Sequence, residues 1–523
     1  MDMKPHLIID IRDRSMFSLL MDEKGNILPC THNVMECSLR YFFGEIFLDV
    51  KEFDKLNKKS KLDFLKNCDR NNYDIIRIGE KLGWKWPYQL KNGDSALPVK
   101  HPLNVLSSIF YSDSNKLEKR FLLTCQAMME FLLEPIFRFI KSTDWDLSEI
   151  NGIVIIPGYF NRYSQLLLYS ILRRKKLHSV RLIPREIATM MNCLEVSSVD
   201  KASVLDMENE DTHLYQVELK RSPGEVEIRC PGCFHLRDFG WDSLVRLFSE
   251  SLYQKKLIDE KAGHYWPTIN RTLMALIYGI NSTRVSSTSS LKITHGLFDE
   301  LFVKSKKKAK EKNISRLTDW FSRVQNNDNI LIPIGLSFMM GQFESSVFSS
   351  LNSRQLPKIL SIRSLERSAY GMAIGLNWLR QEPGRKIKIS NFFTLRMAAG
   401  TEESIELVPH SALPTDPGEQ RVIRQVLDFR LDETVKEDIV HVHLLWGMNP
   451  NPRYNVNVCL LSLNVTKDDV KNKRKIKMEI NLKRARLGNS LSGTVTLQLA
   501  EQSETAQFNL GKDLIEISSQ DVT

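Results

Sequence analysis

Hydrophobic residues follow two patterns along the chain, and the change between them falls near residue 385. Before it, short unbroken apolar runs alternate with stretches of helical spacing. After it, short runs alternate apolar and polar positions between polar turns. The clearest unit of the first kind is Ile150 to Leu194. Ile153 to Ile156 is an apolar run closed by Pro157 and Gly158, which reads as strand and turn. Gln165 to Arg174 carries leucines at helical spacing, and Val180 to Ile183 reads as a second buried strand. Strand, helix and strand in that order predict a parallel sheet in an α/β domain.

The same vocabulary extends to both sides. Leu7 to Ile11 is an apolar strand with Asp10 near its end, and Met16 to Met21, a turn at Asp22 to Gly25 and Ile27-Leu28 complete a hairpin with a third strand. Ser203 to Met207 repeats that design with Asp206 at its end, as expected of two related halves. Leu117 to Ile140 predicts an amphipathic helix kinked at Pro135, and Trp241 to Lys256 and Asn270 to Tyr278 predict two more. The turn-rich stretch Gln381 to Arg385 marks a boundary. Beyond it, runs at Val422 to Phe429, Ile439 to Trp446, Val456 to Val465, Ile476 to Leu482 and Thr494 to Leu499 predict β structure. We therefore expect an α/β domain over 1–381, a β-sandwich over 386–515 and a tail over 516–523.

Composition narrows the class without naming a function. With 523 residues, 42% hydrophobic and 26% charged, the chain suits two or three soluble globular domains. No apolar run reaches the roughly 18 residues of a membrane span, and the start lacks an apolar targeting segment, so a cytoplasmic protein with no membrane partner is expected. The eight cysteines are thinly spread, which favours reduced thiols. Only Cys230-Pro231-Gly232-Cys233 has metal-ligand spacing; without a second pair or matching histidines in the sequence it reads as a plain turn. His441 and His443 share one strand face, and with no third ligand they read as a structural pair. The net charge of +10 sits in separate lysine and arginine runs rather than one stripe with interleaved aromatics, which reads as solvated faces.

Particular residues go further. Ile153-Val154-Ile155-Ile156-Pro157-Gly158-Tyr159-Phe160-Asn161, a helix, and then Arg181-Leu182-Ile183-Pro184-Arg185-Glu186-Ile187-Ala188-Thr189 resemble the V-P-A-Y-F-N, helix, R-I-I-N-E-P-T-A-A segment of the heat-shock protein 70 family. Gly232 to Asp242 is similar to that family's G-D-T-H-L-G-G-E-D-F-D, and Ile332 to Met339 to its V-G-G-x-T-R-x-P. Leu365 to Ala373 is similar to D-E-A-V-A-Y-G-A-A, Leu407 to Thr415 to L-I-P-R-N-T-T-I-P-T, and His441 to Gly447 to E-I-H-V-L-Q-G. The resemblance runs through nearly the whole chain in order. It implies an actin-like (ribonuclease H-like) two-lobed nucleotide-binding domain followed by a β-sandwich like the family's peptide-binding domain, without the helical lid.

By the same resemblance Glu186, Asp206 and Asp10 take the catalytic acidic positions, Asp10 and Asp206 hold magnesium indirectly, and Ser15, Gly335 and Arg12 lie at the nucleotide. The phosphate loops differ from the family's. I-D-L-G-T-T is here Ile9-Asp10-Ile11-Arg12-Asp13-Arg14-Ser15, and the glycines of D-L-G-G-G-T-F-D give way to Glu208, Asn209 and Glu210. Side chains at those positions block the approach of backbone amides to phosphate, and the added carboxylates repel it. Gly279, Ser282 and Thr283 stand where the family places Glu, Lys and Arg against adenosine, and neither Lys81 nor Lys85 can be assigned as the family's catalytic lysine. The retained carboxylates then call for a replacement cation, for which Arg12 or Arg14, paired with Asp10 or Asp206, is the expectation.

The expected function is a chaperone-like scaffold or protein-binding module with weak or no ATPase activity, whose partners are protein clients or a co-chaperone-like protein. The alternatives are an active ATP-dependent chaperone binding unfolded peptides and a basic nucleic-acid-associated protein. ATP and magnesium are the cofactors the resemblance implies, and the loops argue against both. The dispersed basic runs argue against nucleic acid.

Overall fold

The computed structural model describes residues 4–11, 16–28, 133, 136–143, 145–157, 162–196, 198–207, 211–236, 239–258, 269, 273, 282–284, 292–298, 300, 330–335, 366–391, 393–398, 404–427, 439–452, 455–466, 469, 474–486, 490–512 and 514–519. Within them the chain is a mixed α/β protein made mostly of sheets.

The first sheet joins β1 (His6–Ile11), β2 (Met16–Met21), β3 (Ile27–Leu28), β4 (Asn151–Ile156) and β5 (Val180–Pro184) in the order β3-β2-β1-β4-β5. β1 and β2 pair antiparallel as expected, and the turn from β2 into β3 is held by the Asp22 carboxylate accepting from the Lys24 and Asn26 amides. β4 and β5 are parallel to β1 and to each other, and α1 (Arg162–Arg174) makes the crossover between them. All six positions of β1 are buried, which explains the apolar Leu7-Ile8-Ile9 run that precedes Asp10.

The second sheet contains β6 (Lys201–Met207), β7 (Thr212–Ser222), β8 (Glu225–Leu236), β11 (Ile330–Ile334), β12 (Lys386–Asn391) and β21 (Leu514–Ser518), ordered β11-β6-β7-β8-β12-β21. A separate short ribbon pairs β9 (Ser282–Arg284) with β10 (Lys292–Thr294). The arrangement of the first sheet recurs here, since β6, β7 and β8 form an antiparallel meander and β11 adds in parallel to the first of them. Between the sheets lie the short α2 (Arg185–Met190) and α4 (Arg367–Gln381), with α3 (Trp241–Gln254) contributing Trp241 and Phe248 to the same core. Gly371 permits the crossing of α4 over α2, because a Cβ there would stand 2.0 Å from the Ala188 carbonyl oxygen.

The remaining strands make the expected two sheets with one shared core. β13 (Thr394–Ala398), β14 (Ile405–Val408), β16 (Ile439–Gly447) and β17 (Val456–Asn464) are ordered β14-β13-β16-β17. β15 (Gln420–Leu427), β18 (Ile476–Arg484), β19 (Ser490–Leu499) and β20 (Gln502–Lys512) are ordered β15-β18-β19-β20. In β18 the residues Ile476, Met478, Ile480 and Leu482 turn inward at period two, the signal that located the strand in the sequence.

Two expectations shift. Residues 386–391, read as the start of the sandwich, form β12 and pair in parallel with β8; residues 514–518, read as the last of the sandwich and the first of the tail, return as β21 and pair with β12. Cys230 to Cys233 is not a turn but lies inside β8, where an irregularity between Gln216 and Glu218 in β7 absorbs the Pro-Gly. The turn is instead Pro223-Gly224, with Gly224 at φ 71°. Most of the expected helices over Asn270 to Tyr278 and Leu117 to Ile140, together with Lys81 and Lys85, lie outside the described residues. Among the described residues no helix is long and apolar enough to cross a membrane.

Candidate functional site

β1 and β6 end beside one another across the space between the two sheets, and each carries an aspartate one residue before its end, Asp10 and Asp206. The third contributor is the β5–α2 junction. Pro184 ends β5 in an extended conformation, φ −59° and ψ 141°, and the next residue, Arg185, opens the helix inside the protein. Its guanidinium lies between the two carboxylates. Nη1 donates to Asp206 Oδ2 at 3.0 Å, Nε lies 3.5 Å from Asp10 Oδ1, and Nη2 donates to the Ile11 carbonyl at 2.5 Å. Arg185 is 1% exposed and Asp10 wholly buried, so this ion pair is screened by protein rather than water.

Glu186 follows on α2 and is buried too. Burial pushes its carboxyl up to about 7, the nearby Asp206 adds to the rise, and its own backbone amide and Arg185 act the other way. Its Oε2 has no hydrogen-bond partner among the described residues. Near neutrality Glu186 therefore exchanges a proton while Arg185 supplies the fixed positive charge.

Asp206 also heads a row of polar side chains. It sits opposite His213 across β6 and β7, and His213 sits opposite His235 across β7 and β8. Directly opposed residues of antiparallel strands share a face, so the row runs along one side of the sheet toward the sandwich. There it meets Asn449, in the turn after β16. The Asn449 Oδ1 accepts from the Asn451 amide at 2.9 Å, which orients its Nδ2 toward His213 Nδ1 at 3.2 Å and Cys233 Sγ at 3.5 Å. His213 is buried and held neutral, lowered to about 3 first by burial and next by the neighbouring His235. Asn455 braces the turn by accepting from the Asn449 amide and donating to its carbonyl.

Of the residues singled out from sequence, Asp10, Glu186 and Asp206 come together here. Gly335 does not face an open cradle. Its φ is 103°, and a Cβ would stand 2.4 Å from the Met207 carbonyl oxygen, so the glycine serves the close approach of β11 to β6. Arg12, Arg14 and Ser15 lie outside the described residues, as does Gly279, while Ser282 and Thr283 fall in β9. The cation between the carboxylates is Arg185, which in the sequence stands only as part of the segment similar to R-I-I-N-E-P-T-A-A. The available signal was that this arginine directly follows the apolar run Leu182-Ile183-Pro184 and precedes Glu186. His441 Nδ1 lies 2.9 Å from Ser462 Oγ and His443 is buried, and no metal-ligand cluster among the described residues includes either. Cys230 and Cys233 are both buried, with Cys230 Sγ 3.7 Å from Met448 Sδ. No protein-family model matches the chain, and comparison with curated proteins finds no match.

Proposed function

We propose that this chain is a heat-shock protein 70-like scaffold, an actin-like two-lobed domain carrying a β-sandwich, in which an internal arginine takes the place of magnesium nucleotide and the sandwich binds protein partners. The observation that carries the reading is the Arg185 guanidinium between Asp10 and Asp206. A carboxylate pair that already shares a fixed, hydrogen-bonded cation does not fit magnesium, which needs near-octahedral oxygen ligands and retains several waters. Two sheets that each begin with an antiparallel meander, whose first strand then gains a parallel neighbour, support the two-lobed part. A protein-binding role is supported by β15, which pairs with β18 alone among the described strands and exposes Val422 and Val426.

The test is thermal unfolding of the full chain with and without magnesium and ATP. No shift is expected. A ligand that bound the folded state at a hundred times its dissociation constant would add about 2.7 kcal/mol, and a rise of that size would overturn the proposal in favour of an active chaperone.

A further inference from the structure

A second set of side chains lies off the arginine bridge and takes no part in the proposed function. Asp211, His213 and His235 each offer a ligand atom, and these atoms all lie within 4.8 Å of one another. His235 Nε2 is 3.0 Å from Asp211 Oδ2, and the two imidazoles stack with centroids 5.0 Å apart and planes 26° apart. Asp211 and His213 are buried, and His235 is nearly so. We infer that Asp211, His213 and His235 form a site for a divalent ion of the zinc class.

Donor chemistry favours that class. Two imidazole nitrogens and one carboxylate oxygen are the ligand types of zinc sites with three protein ligands, whereas calcium and magnesium require oxygen donors throughout. Size agrees as well. Bonds of about 2.0–2.2 Å in a tetrahedron put ligand atoms roughly 3.3–3.6 Å apart, against 3.0 Å between His235 Nε2 and Asp211 Oδ2 and no more than 4.8 Å across the set. The scaffold is stiff where it must be. His213 and His235 are direct partners on neighbouring strands, and Asp211 immediately precedes β7 with its ligand atom within 4.8 Å of theirs.

The register that creates the set is itself local. Counted straight from the Pro223-Gly224 turn, where Ser222 pairs with Glu225, His213 would oppose Phe234 and His235 would face the other side of the sheet. The irregularity between Gln216 and Glu218 moves the pairing by one residue and brings the two histidines together.

The experiment uses the full chain freed of metal by chelator and titrated with cobalt(II) alone, whose visible spectrum reports coordination, followed by displacement with zinc(II). One cobalt per chain with a tetrahedral-type band is expected, displaced by stoichiometric zinc and weakened at least tenfold in both His235→Gln and Asp211→Asn. Because either variant could lose its fold, unfolding of the unmodified chain is compared in zinc and in chelator, and zinc should raise the midpoint. Absence of a band, or affinity equal in the variants and the parent chain, would overturn the assignment. A thiolate-to-cobalt band lost in Cys233→Ser would also overturn it, since it would move the ion onto the cysteines. None of these readouts depends on ATP.

Discussion

Replacing Arg185 with methionine is the most informative perturbation, because it removes a cation while keeping most of the side-chain volume. Both carboxylates that contact the guanidinium are buried, Asp10 completely, and the Ile11 carbonyl loses a donor in the same step. Breaking a buried pair in this way costs about 3–5 kcal/mol, because the partner charge is left uncompensated, whereas an exposed pair contributes about 0–1 kcal/mol. Urea unfolding followed by tryptophan fluorescence can read the loss, since Trp241 is fully buried in the same core. Arg185→Lys should fall between the two, since an ammonium cannot reproduce the forked contacts to Asp10, Asp206 and the Ile11 carbonyl. A change below about 1 kcal/mol in Arg185→Met would refute the reasoning, since that is the magnitude of a solvated pair.

Two further outcomes follow from neighbouring features. Glu186 keeps its proton in the folded state up to about 7, against 4.5 when exposed, so stability falls as pH rises through that window and the full cost, about 3 kcal/mol, is present above it. Glu186→Gln should therefore leave stability at pH 4 nearly unchanged, raise it at pH 8 and flatten the profile between; an unaltered profile would show that another group titrates there. Gly371→Ala should cost about 1–3 kcal/mol by forcing α4 away from the Ala188 carbonyl, measured by the same unfolding assay, and a neutral result would mean that the crossing is slack.

Patterns confined to one segment were legible in the sequence. The runs at Leu7 to Ile11 and Ile153 to Ile156 became β1 and β4 because strands covered on both faces are apolar nearly throughout, with Asp10 the one buried charge in β1. The alternation in β18 was legible for the complementary reason. The aspartates at the ends of β1 and β6 could be located because strand position alone sets them. Relations between segments were not legible. β12, Lys-Ile-Lys-Ile-Ser-Asn, looks like a strand of any sheet, and nothing local says that its neighbours are β8 and β21. Arg185 became the bridge only once the ends of three strands had converged, and His213 met His235 only through a one-residue irregularity.

The pairing of β12 with β21 makes the sandwich an insertion, with its entrance and exit strands lying side by side in another domain's sheet. A module held at one end can swing on its linker; one held at two adjacent points is confined close to its host, and releasing it requires a sheet edge to peel. Assembly acquires an order as well. The edge of the six-stranded sheet is finished only after residues 514–518 have been made, so the first domain waits for the module it carries.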